Sequence, residues 1–161
     1  MKILVLPDMQ VKPGVDTRYI DAIASYILDK QPDVIVNLGD LADMPSLSSY
    51  DQGKKAFEGR RYKDDIHSVI DAQIKLFQPL AAYQERQRIN KKKVYTPRTV
   101  ILLGNHENRI NRAVNDDPKL DGVLSVDDLC YQNFWDEVHP FLEVVEIEGV
   151  AFSHYYTTGL A

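Results

Sequence analysis

Residues 100–107 have the sequence VILLGNHE, in which four apolar residues lead directly into a glycine, an amide, an imidazole and a carboxylate. An uninterrupted apolar run of this kind predicts a strand that is buried on both faces, as in a parallel sheet. Gly104 allows a sharp turn at the end of that strand. Asn105 and His106 are then expected at the edge of the sheet where α/β proteins bind their ligands.

The same pattern of an apolar run followed by polar residues occurs twice earlier in the chain. Residues 3–10 have the sequence ILVLPDMQ, and residues 34–43 have the sequence VIVNLGDLAD. If the three strands are parallel neighbours, their carboxyl ends lie side by side. The sequence therefore predicts that six polar side chains converge on one cleft: Asp8, Gln10, Asp40, Asp43, Asn105 and His106.

The composition is typical of one folded domain, which we expect to span residues 1–161. The chain has 44% hydrophobic and 27% charged residues, enough apolar material for a core. Its formal net charge of -5 argues against a protein whose whole surface binds nucleic acid. Cys130, the single cysteine, suits a reducing compartment, and neither a leader nor an 18-residue apolar run is present. We therefore expect a cytoplasmic protein that does not associate with membranes.

Helical spacing alternates with the predicted strands. The first strand is predicted at residues 2–6, a helix from about residue 16 to Lys30, and the second strand at residues 33–38. This order predicts a right-handed βαβ unit. The first turn contains no GxGxxG, so the sequence gives no support to dinucleotide binding.

Residues 44–98 form a predicted polar and helical insert between the second and third strands. Its first part, residues 44–63, is rich in turn residues and carries several lysines and arginines. That part is either a solvated surface loop or a loop that reaches over the cleft and attracts a phosphate-bearing substrate. Residues 64–90 have helical periodicity, with Asp64 as a candidate cap and with Pro79 expected to kink or divide the helix.

The part of the chain after the cleft residues contains two further helical patterns and a hairpin pattern. Short helices are predicted from about Glu107 to residues 116–118 and at about residues 126–133. Two apolar runs at residues 141–147 and 149–153 predict a hairpin with a tight turn between them. His154 follows the second run and adds an imidazole at a strand end.

The converging residues have the chemistry of a metal site. Hard divalent cations prefer carboxylate and amide oxygens, and imidazole suits manganese, iron or zinc. We therefore predict five metal ligands: Asp8, Gln10, Asp40, Asn105 and His154. Asp40 follows the middle strand in chain order and is the candidate for a bridging carboxylate. Two bridged cations would lower the pKa of a shared water and stabilise charge on a phosphoryl oxygen.

His106 and Asp43 are the candidate catalytic residues. His106 lies beside a predicted ligand but can point away from the metals, where it could protonate a leaving oxygen. Asp43 follows the candidate bridge by three residues and could orient that imidazole. Glu107 is interpreted as an acid in the first turn of a helix. Arg109 is either a solvated helix residue or a phosphate contact, and Trp135 is expected in the core.

These motifs together resemble those of the calcineurin-like metallophosphoesterases. The chain has D-x-Q at residues 8–10, GDxxD at 39–43, GNHE at 104–107 and a later strand-end His154. The family pattern is D-x-H, GDxxD, GNH[DE], a lone histidine and a final GHxH. The resemblance implies an α/β fold in which a β-sandwich is flanked by helices, and it implies metal-dependent hydrolysis of phosphate esters. The polar insert is most similar to small phosphoesterases of bacteriophages, which would place the protein in the host cytoplasm.

The resemblance also implies a role for individual residues. Asp8 would bind the first metal, and Asp40 would bridge the two. Asn105 and His154 would bind the second metal. His106 would be the general acid, and Asp43 would be its partner.

Two departures from the family pattern affect the expected site. Gln10 stands where the family has histidine, and an amide oxygen favours manganese or magnesium over zinc, with iron as a further possibility. No GHxH follows His154, so we expect the C-terminal part of the second sheet to be missing. Three explanations are open. The chain could be a fragment of a longer protein, its site could be completed by self-association or by a missing C-terminal segment, or the protein could be catalytically weak.

From these observations we expect an enzyme that hydrolyses a phosphate ester with a water activated by two metal ions. A phosphodiester such as nucleic acid or a cyclic nucleotide is favoured because basic residues cluster in the insert, and a monoester stays open. The first alternative is a non-catalytic module that binds metal or nucleic acid and is completed by another chain. The second alternative is a structural half that pairs through an incomplete sheet edge.

Overall fold

Four parallel strands form the central sheet in a computed structural model that describes residues 1–55 and 58–156. Each strand pairs with the strand that precedes it in the chain, so the spatial order is the chain order. The first three strands confirm the predicted ones. The four strands are β1 (Ile3–Leu6), β2 (Val34–Asn37), β3 (Arg98–Leu102) and β4 (Glu137–His139).

The register of the sheet brings the first three strand ends to one edge. Val36 in the middle of β2 pairs with Val5 on one side and with Val100 on the other. The loops that follow the three strands therefore leave the sheet at the same height. This arrangement confirms the prediction that the strands are parallel neighbours.

Three helices cover one face of the sheet. They are α1 (Arg18–Lys30), α2 (Tyr62–Ile89) and α3 (Asn108–Asp116). Ile35 and Ile101 point toward this layer, where they join the larger core with buried residues of the helices, such as Leu76. Helices α1 and α2 also pack against each other.

The predicted hairpin is present, and it covers the other face of the sheet. Its strands are β5 (Val145–Ile147) and β6 (Val150–Phe152), and they pair antiparallel. Glu148 and Gly149 in the turn both have positive φ, which is the backbone of a tight two-residue turn. Valines of the sheet such as Val36 pack with the hairpin in a second, smaller core. The chain is thus layered as helices, parallel sheet and small antiparallel sheet.

Two features of the predicted helices differ from the observed ones. Helix α2 runs without a break through Pro79, so the predicted division there is wrong. Leu76 and Leu80 are buried on either side of the proline, and their packing stabilises the helix there. The helix also begins at Tyr62, so Asp64 lies in the first turn and does not cap it.

The segment between α3 and the hairpin contains a strand and turns that the sequence pattern did not predict. Strand β4 has the short sequence EVH, which lacks an apolar run, and it gains its place by pairing with β3. The helix predicted at residues 126–133 consists of two 3₁₀ turns, Val126–Leu129 and Tyr131–Asn133. Cys130 separates these turns because its φ is 56°, outside the helical region. Trp135 is buried, as expected.

The insert at residues 44–98 forms two 3₁₀ turns, Pro45–Leu47 and Ser49–Asp51, followed by α2. Residues 56 and 57 of its predicted loop lie outside the described residues. The division of the chain into one domain and an insert stays a prediction. In the described part of the chain, no helix has both the length and the apolar composition needed to cross a bilayer.

Replacing Leu76 by alanine should destabilise the helical layer. Leu76 is 1% exposed, and loss of a buried leucine side chain costs about 2–5 kcal/mol of unfolding free energy. Ile74→Ala on the same helix is the matched control, because Ile74 is 44% exposed. Urea unfolding monitored by circular dichroism measures both variants. Equal losses for the two variants would contradict the packing of α2 against the sheet.

Candidate metal centre

The loops after β1 and β2 are held together by their backbones. Gln10 N–H donates to the carbonyl of Asp40 at 2.8 Å, and Val11 N–H donates to the carbonyl of Leu41 at 2.7 Å. Gln10 and Asp40 have φ values of 47° and 51°, in the left-handed region that residues with side chains seldom adopt. Such conformations persist where the surrounding structure enforces them, which is common at functional sites.

Two glycines allow the ends of β2 and β3 to approach each other closely. A Cβ on Gly104 would lie 2.0 Å from Oδ1 of Asp40, and a Cβ on Gly39 would lie 2.6 Å from the amide nitrogen of Gly104. Neither position has space for a methyl group. The glycines of the GD and GNH motifs are therefore required by the contact between the loops that carry Asp40 and Asn105.

Four of the five predicted metal ligands lie together at this edge of the sheet. Ligand atoms of Asp8, Asp40 and His154 all lie within 4.8 Å of one another. Oδ1 of Asn105 is 2.8 Å from Nε2 of His154. Asp8 and Asn105 are exposed, whereas Asp40 is buried, so the group opens to solvent on one side.

The hydrogen bonds of His154 fit a bound cation. Nδ1 of His154 lies 2.7 Å from the carbonyl of Leu38, which can only accept, so Nδ1 carries a proton. In the neutral ring, Nε2 then presents its lone pair to Oδ1 of Asn105 and, at 3.7 Å, to Oδ2 of Asp40. With the Asn105 amide in this orientation, a cation or a proton on Nε2 would offset the repulsion between these three acceptors. Carboxylate, amide and imidazole donors suit a divalent metal ion.

Gln10 is the predicted ligand whose participation the structure leaves open. The residue is exposed and borders a cleft beside the site, and its backbone N–H is its contact with the loop of Asp40. Its role as a ligand stays a prediction, as do the individual roles of the other four residues.

His106 and Asp43 form the pair that the sequence predicts. Nδ1 of His106 lies 2.7 Å from Oδ1 of Asp43 and 3.0 Å from its carbonyl oxygen, so Nδ1 donates to Asp43. The hydrogen bond with Asp43 raises the pKa of His106, and burial opposes that shift. Nε2 lies on the other side of the ring, 3.7 Å from Oδ2 of Asp40. His106 therefore directs its second ring nitrogen toward the metal centre.

Two positively charged side chains, those of Lys12 and Arg109, also bind Asp43. The sequence did not predict either contact. Nζ of Lys12 donates to Oδ2 of Asp43 at 2.6 Å, and the guanidinium of Arg109 donates to the Asp43 carbonyl at 2.8 Å. Burial alone would raise the pKa of Asp43, but the hydrogen bonds from His106 and Lys12 outweigh it and lower this pKa to about 2. Arg109 also has a guanidinium nitrogen 3.3 Å from Nε2 of His106, and its side chain is 13% exposed. It is therefore not a solvated helix residue.

Glu107 is the main residue that sequence reasoning misinterpreted. Its side chain is fully buried, and its carboxylate accepts from the N–H groups of Asp40, Ala42 and Gly104 and from the hydroxyl of Tyr131, at 2.8–3.0 Å. Burial raises the pKa of Glu107, and the hydrogen bonds from Ala42 and Tyr131 oppose that shift. All four partners are donors, which satisfies the ionised carboxylate. The acid at the fourth position of GNH[DE] was the signal in the sequence that pointed to this role.

A polar cleft of about 590 Å³ opens beside His106. Gln10, Asp43 and Arg109 border it on the side of the metal centre, and the insert contributes Arg60 and Arg61. The insert thus reaches the site with two of its basic residues, although Arg60 is ion-paired with Asp51. The lining also contains several carboxylates, so the cleft has a mixed charge.

The fold and the geometry of the site agree with comparisons to known proteins. The sequence model of the calcineurin-like phosphoesterase family matches residues 1–160, and the chain belongs to this family, whose members are metal-dependent phosphoesterases.

Two relatives are phage proteins, in agreement with the resemblance to bacteriophage members. The Gene 54 protein of Mycobacterium phage L5 is 41% identical over 64 residues, which cover 40% of this chain and 25% of the relative. The Gene 54 protein of Mycobacterium phage D29 is 32% identical over 108 residues, which cover 67% of this chain and 36% of the relative. The matched regions thus span about a quarter and about a third of the length of these curated relatives.

Replacing Glu107 by glutamine should destabilise the protein by about 2–4 kcal/mol. The amide nitrogen would face two hydrogen-bond donors that the carboxylate oxygen now accepts, and each unsatisfied buried group costs about 1–3 kcal/mol. Tyr131→Phe should cost less, because it removes one of the four hydrogen bonds. Glu85→Gln, at an exposed position on α2, is the control. Differential scanning calorimetry measures all three variants, and a neutral Glu107→Gln would contradict this assignment.

The contribution of Asp43 to stability should depend on pH. Its pKa is lowered in the folded state, so its stabilising effect is present above the unfolded value of 3.8 and is lost as the pH falls toward about 2. The shift corresponds to about 2 kcal/mol. The difference in unfolding free energy between the wild type and Asp43→Asn should therefore shrink between pH 5 and pH 2. Asp29→Asn, at an exposed position, should give a difference that is small at every pH in a urea titration series.

Proposed function

We propose that this chain hydrolyses a phosphate ester with the help of two divalent metal ions, and that a phosphodiester is its preferred substrate. The observation that carries the proposal is the position of the His106–Asp43 pair beside the group formed by Asp8, Asp40 and His154. A proton donor and a cluster of metal-binding groups are the two components that metal-assisted hydrolysis needs.

Asp8, Asp40, Asn105 and His154, with Gln10 at the margin, would hold the cations. Bound there, the metal ions supply a nucleophilic water at neutral pH and stabilise charge on the phosphoryl oxygens. Oδ1 of Asp40 accepts the backbone N–H of His106 at 2.9 Å, which fixes the carboxylate and leaves Oδ2 directed at both histidines. This orientation supports Asp40 as the bridge. The oxygen-rich ligand set favours manganese, with magnesium, iron and zinc as alternatives.

His106 would protonate the leaving oxygen. Nδ1 is occupied by Asp43, so Nε2 is the nitrogen that can hold the transferred proton. When the bond between phosphorus and the leaving oxygen breaks, that proton passes from Nε2 to the oxygen, and water supplies the hydroxyl that phosphorus gains. Asp43 is a positioning residue, because it holds the ring in this tautomer and supports its positive charge.

The preference for a phosphodiester rests on the basic residues near the site. Lys12 and Arg109 both bind Asp43 beside the cleft, and Arg60 and Arg61 reach it from the insert. Arginine and lysine at these positions can contact the unreacting oxygens of a phosphate. The phage origin of the relatives and the single cysteine support a role in the cytoplasm of a host cell.

The alternative is a module that binds metal or nucleic acid without catalysis and is completed by another chain. Two observations favour it. The matched regions span only part of the length of the relatives. The group of carboxylates and imidazoles that could hold a metal has only three members among the described residues, which is few for two metal ions. Metal binding without turnover over a series of divalent cations would support it.

Replacing His106 by glutamine tests the enzymatic function. With added manganese, turnover of a phosphodiester with an alkyl leaving group should fall about 100-fold or more, since general acid catalysis contributes about 10²–10⁴-fold. Turnover of bis-p-nitrophenyl phosphate should fall less, because p-nitrophenolate needs little protonation. His67→Gln, on the exposed side of α2, is the control.

Calorimetric titration with manganese separates catalysis from metal binding. His106→Gln should still bind the metal, whereas Asp40→Ala should not. Equal activity of wild type and His106→Gln on the alkyl substrate would refute the assigned proton donor.

A further inference from the structure

Three aromatic rings lie in mutual contact at the metal centre. The ring of His154 is 5.8 Å from the ring of Tyr155 and 6.2 Å from the ring of Phe141, measured between centroids. Tyr155 and Phe141 meet edge to face at 5.6 Å. The predicted ligand His154 thus forms one side of a small aromatic cluster.

Tyr155 is more exposed than a residue that serves only as packing. It is 47% exposed, and in the described part of the chain its hydroxyl makes no hydrogen bond. Phe141 supports it from the side and is itself half-buried. The ring of Tyr155 therefore presents apolar surface to solvent, next in sequence to the predicted metal ligand His154.

The aromatic cluster and the polar cleft are separate surfaces of the site. The cleft is lined by residues of the first two loops, the insert and α3, and it includes neither Phe141 nor Tyr155. His106, which would protonate the leaving group, contacts the cleft residues Asp43 and Arg109. A leaving group that departs toward the cleft would leave the retained half of a diester next to the aromatic cluster.

We propose that Tyr155, supported by Phe141, is a stacking platform for the base of a nucleotidyl substrate. This inference rests on the proposed phosphoesterase function and names the substrate class as nucleoside phosphodiesters. Bases stack on aromatic side chains with little dependence on sequence, and each such contact contributes substantially to binding. A base bound there would belong to the nucleoside that keeps the phosphate, while the leaving oxygen faces His106.

A pair of substrates with the same leaving group tests the platform in the intact chain. Thymidine 5′-p-nitrophenyl phosphate and methyl p-nitrophenyl phosphate both release p-nitrophenol, and only the first carries a base. The ratio of their kcat/KM values should be well above one in the wild type and should fall about tenfold in Tyr155→Ala. Tyr155→Phe keeps the ring and should retain the ratio, as should Tyr26→Ala, at a site of similar exposure on α1. A wild-type ratio near one, or an unchanged ratio in Tyr155→Ala, would overturn the proposal.

Binding without turnover distinguishes failure of the platform from failure of the enzymatic function. Binding is measured in a calcium buffer, in which no turnover is intended. A dinucleotide that contains 2-aminopurine should lose fluorescence when its base stacks on the protein. Tyr155→Phe should quench like the wild type, and Tyr155→Ala should not. If neither p-nitrophenyl substrate is hydrolysed, the enzymatic function fails, and quenching that depends on Tyr155 still supports the platform. Quenching that is absent from the wild type, or equal in Tyr155→Ala, refutes it.

A longer strand identifies the source of the base. Tighter binding of a tetranucleotide than of the dinucleotide, with the difference lost in Tyr155→Ala, indicates a single strand as the substrate. Equal binding of the two indicates a small nucleoside phosphodiester.

Discussion

The carboxylate of Glu107 is the constraint on which the site depends. It lies in the interior, where three backbone N–H groups and one hydroxyl satisfy it. Two of those N–H groups, on Asp40 and Ala42, follow β2, and the third, on Gly104, lies in the loop after β3 that also contains Glu107. The side chain of Glu107 therefore connects the loops after β2 and β3, which the parallel strands place side by side.

The loop of Asp40, which Glu107 holds in place, contacts other groups at the site. Asp40 adopts a left-handed backbone, and its side chain accepts the N–H of His106. The glycines that permit the contact leave no room for adjustment, because a methyl group on Gly104 would overlap the Asp40 carboxylate. His154 comes from the opposite layer and binds the carbonyl of Leu38. The geometry of the site is thus held by buried and partly buried hydrogen bonds between backbone and side chain.

The sequence predicted the parts of this structure that depend on local pattern. Apolar runs followed by polar residues located three strands of the sheet and the residues at their ends, and the hairpin was predicted by two apolar runs around Gly149. Strand β4 was missed because its short polar sequence becomes a strand only by pairing with β3. Glu107 was misinterpreted for a related reason, since an acid at a helix start has a common local explanation, whereas three of its four partners, on Asp40, Ala42 and Tyr131, are distant along the chain.

Side-chain partners of the catalytic pair were equally hidden from the sequence. Lys12 precedes Asp43 by 31 positions, and nothing in the local pattern of either residue indicates that they meet. Tyr155 was part of no motif, and its importance follows from contacts with His154 and Phe141 that the hairpin and the loop after β4 create. Contacts of this kind depend on the tertiary fold, and a single sequence without related sequences does not contain them.

The order of strands in the sheet has a consequence for how the molecule can be made. Because each parallel strand pairs with the one translated before it, the sheet can extend at a single growing edge during synthesis, without any strand having to insert between two others. The loops that carry Asp8, Asp40 and Asn105 would then be in place while the ribosome is still adding the hairpin. His154 is the last of these side chains to be translated, and it joins a group whose other members are already in position.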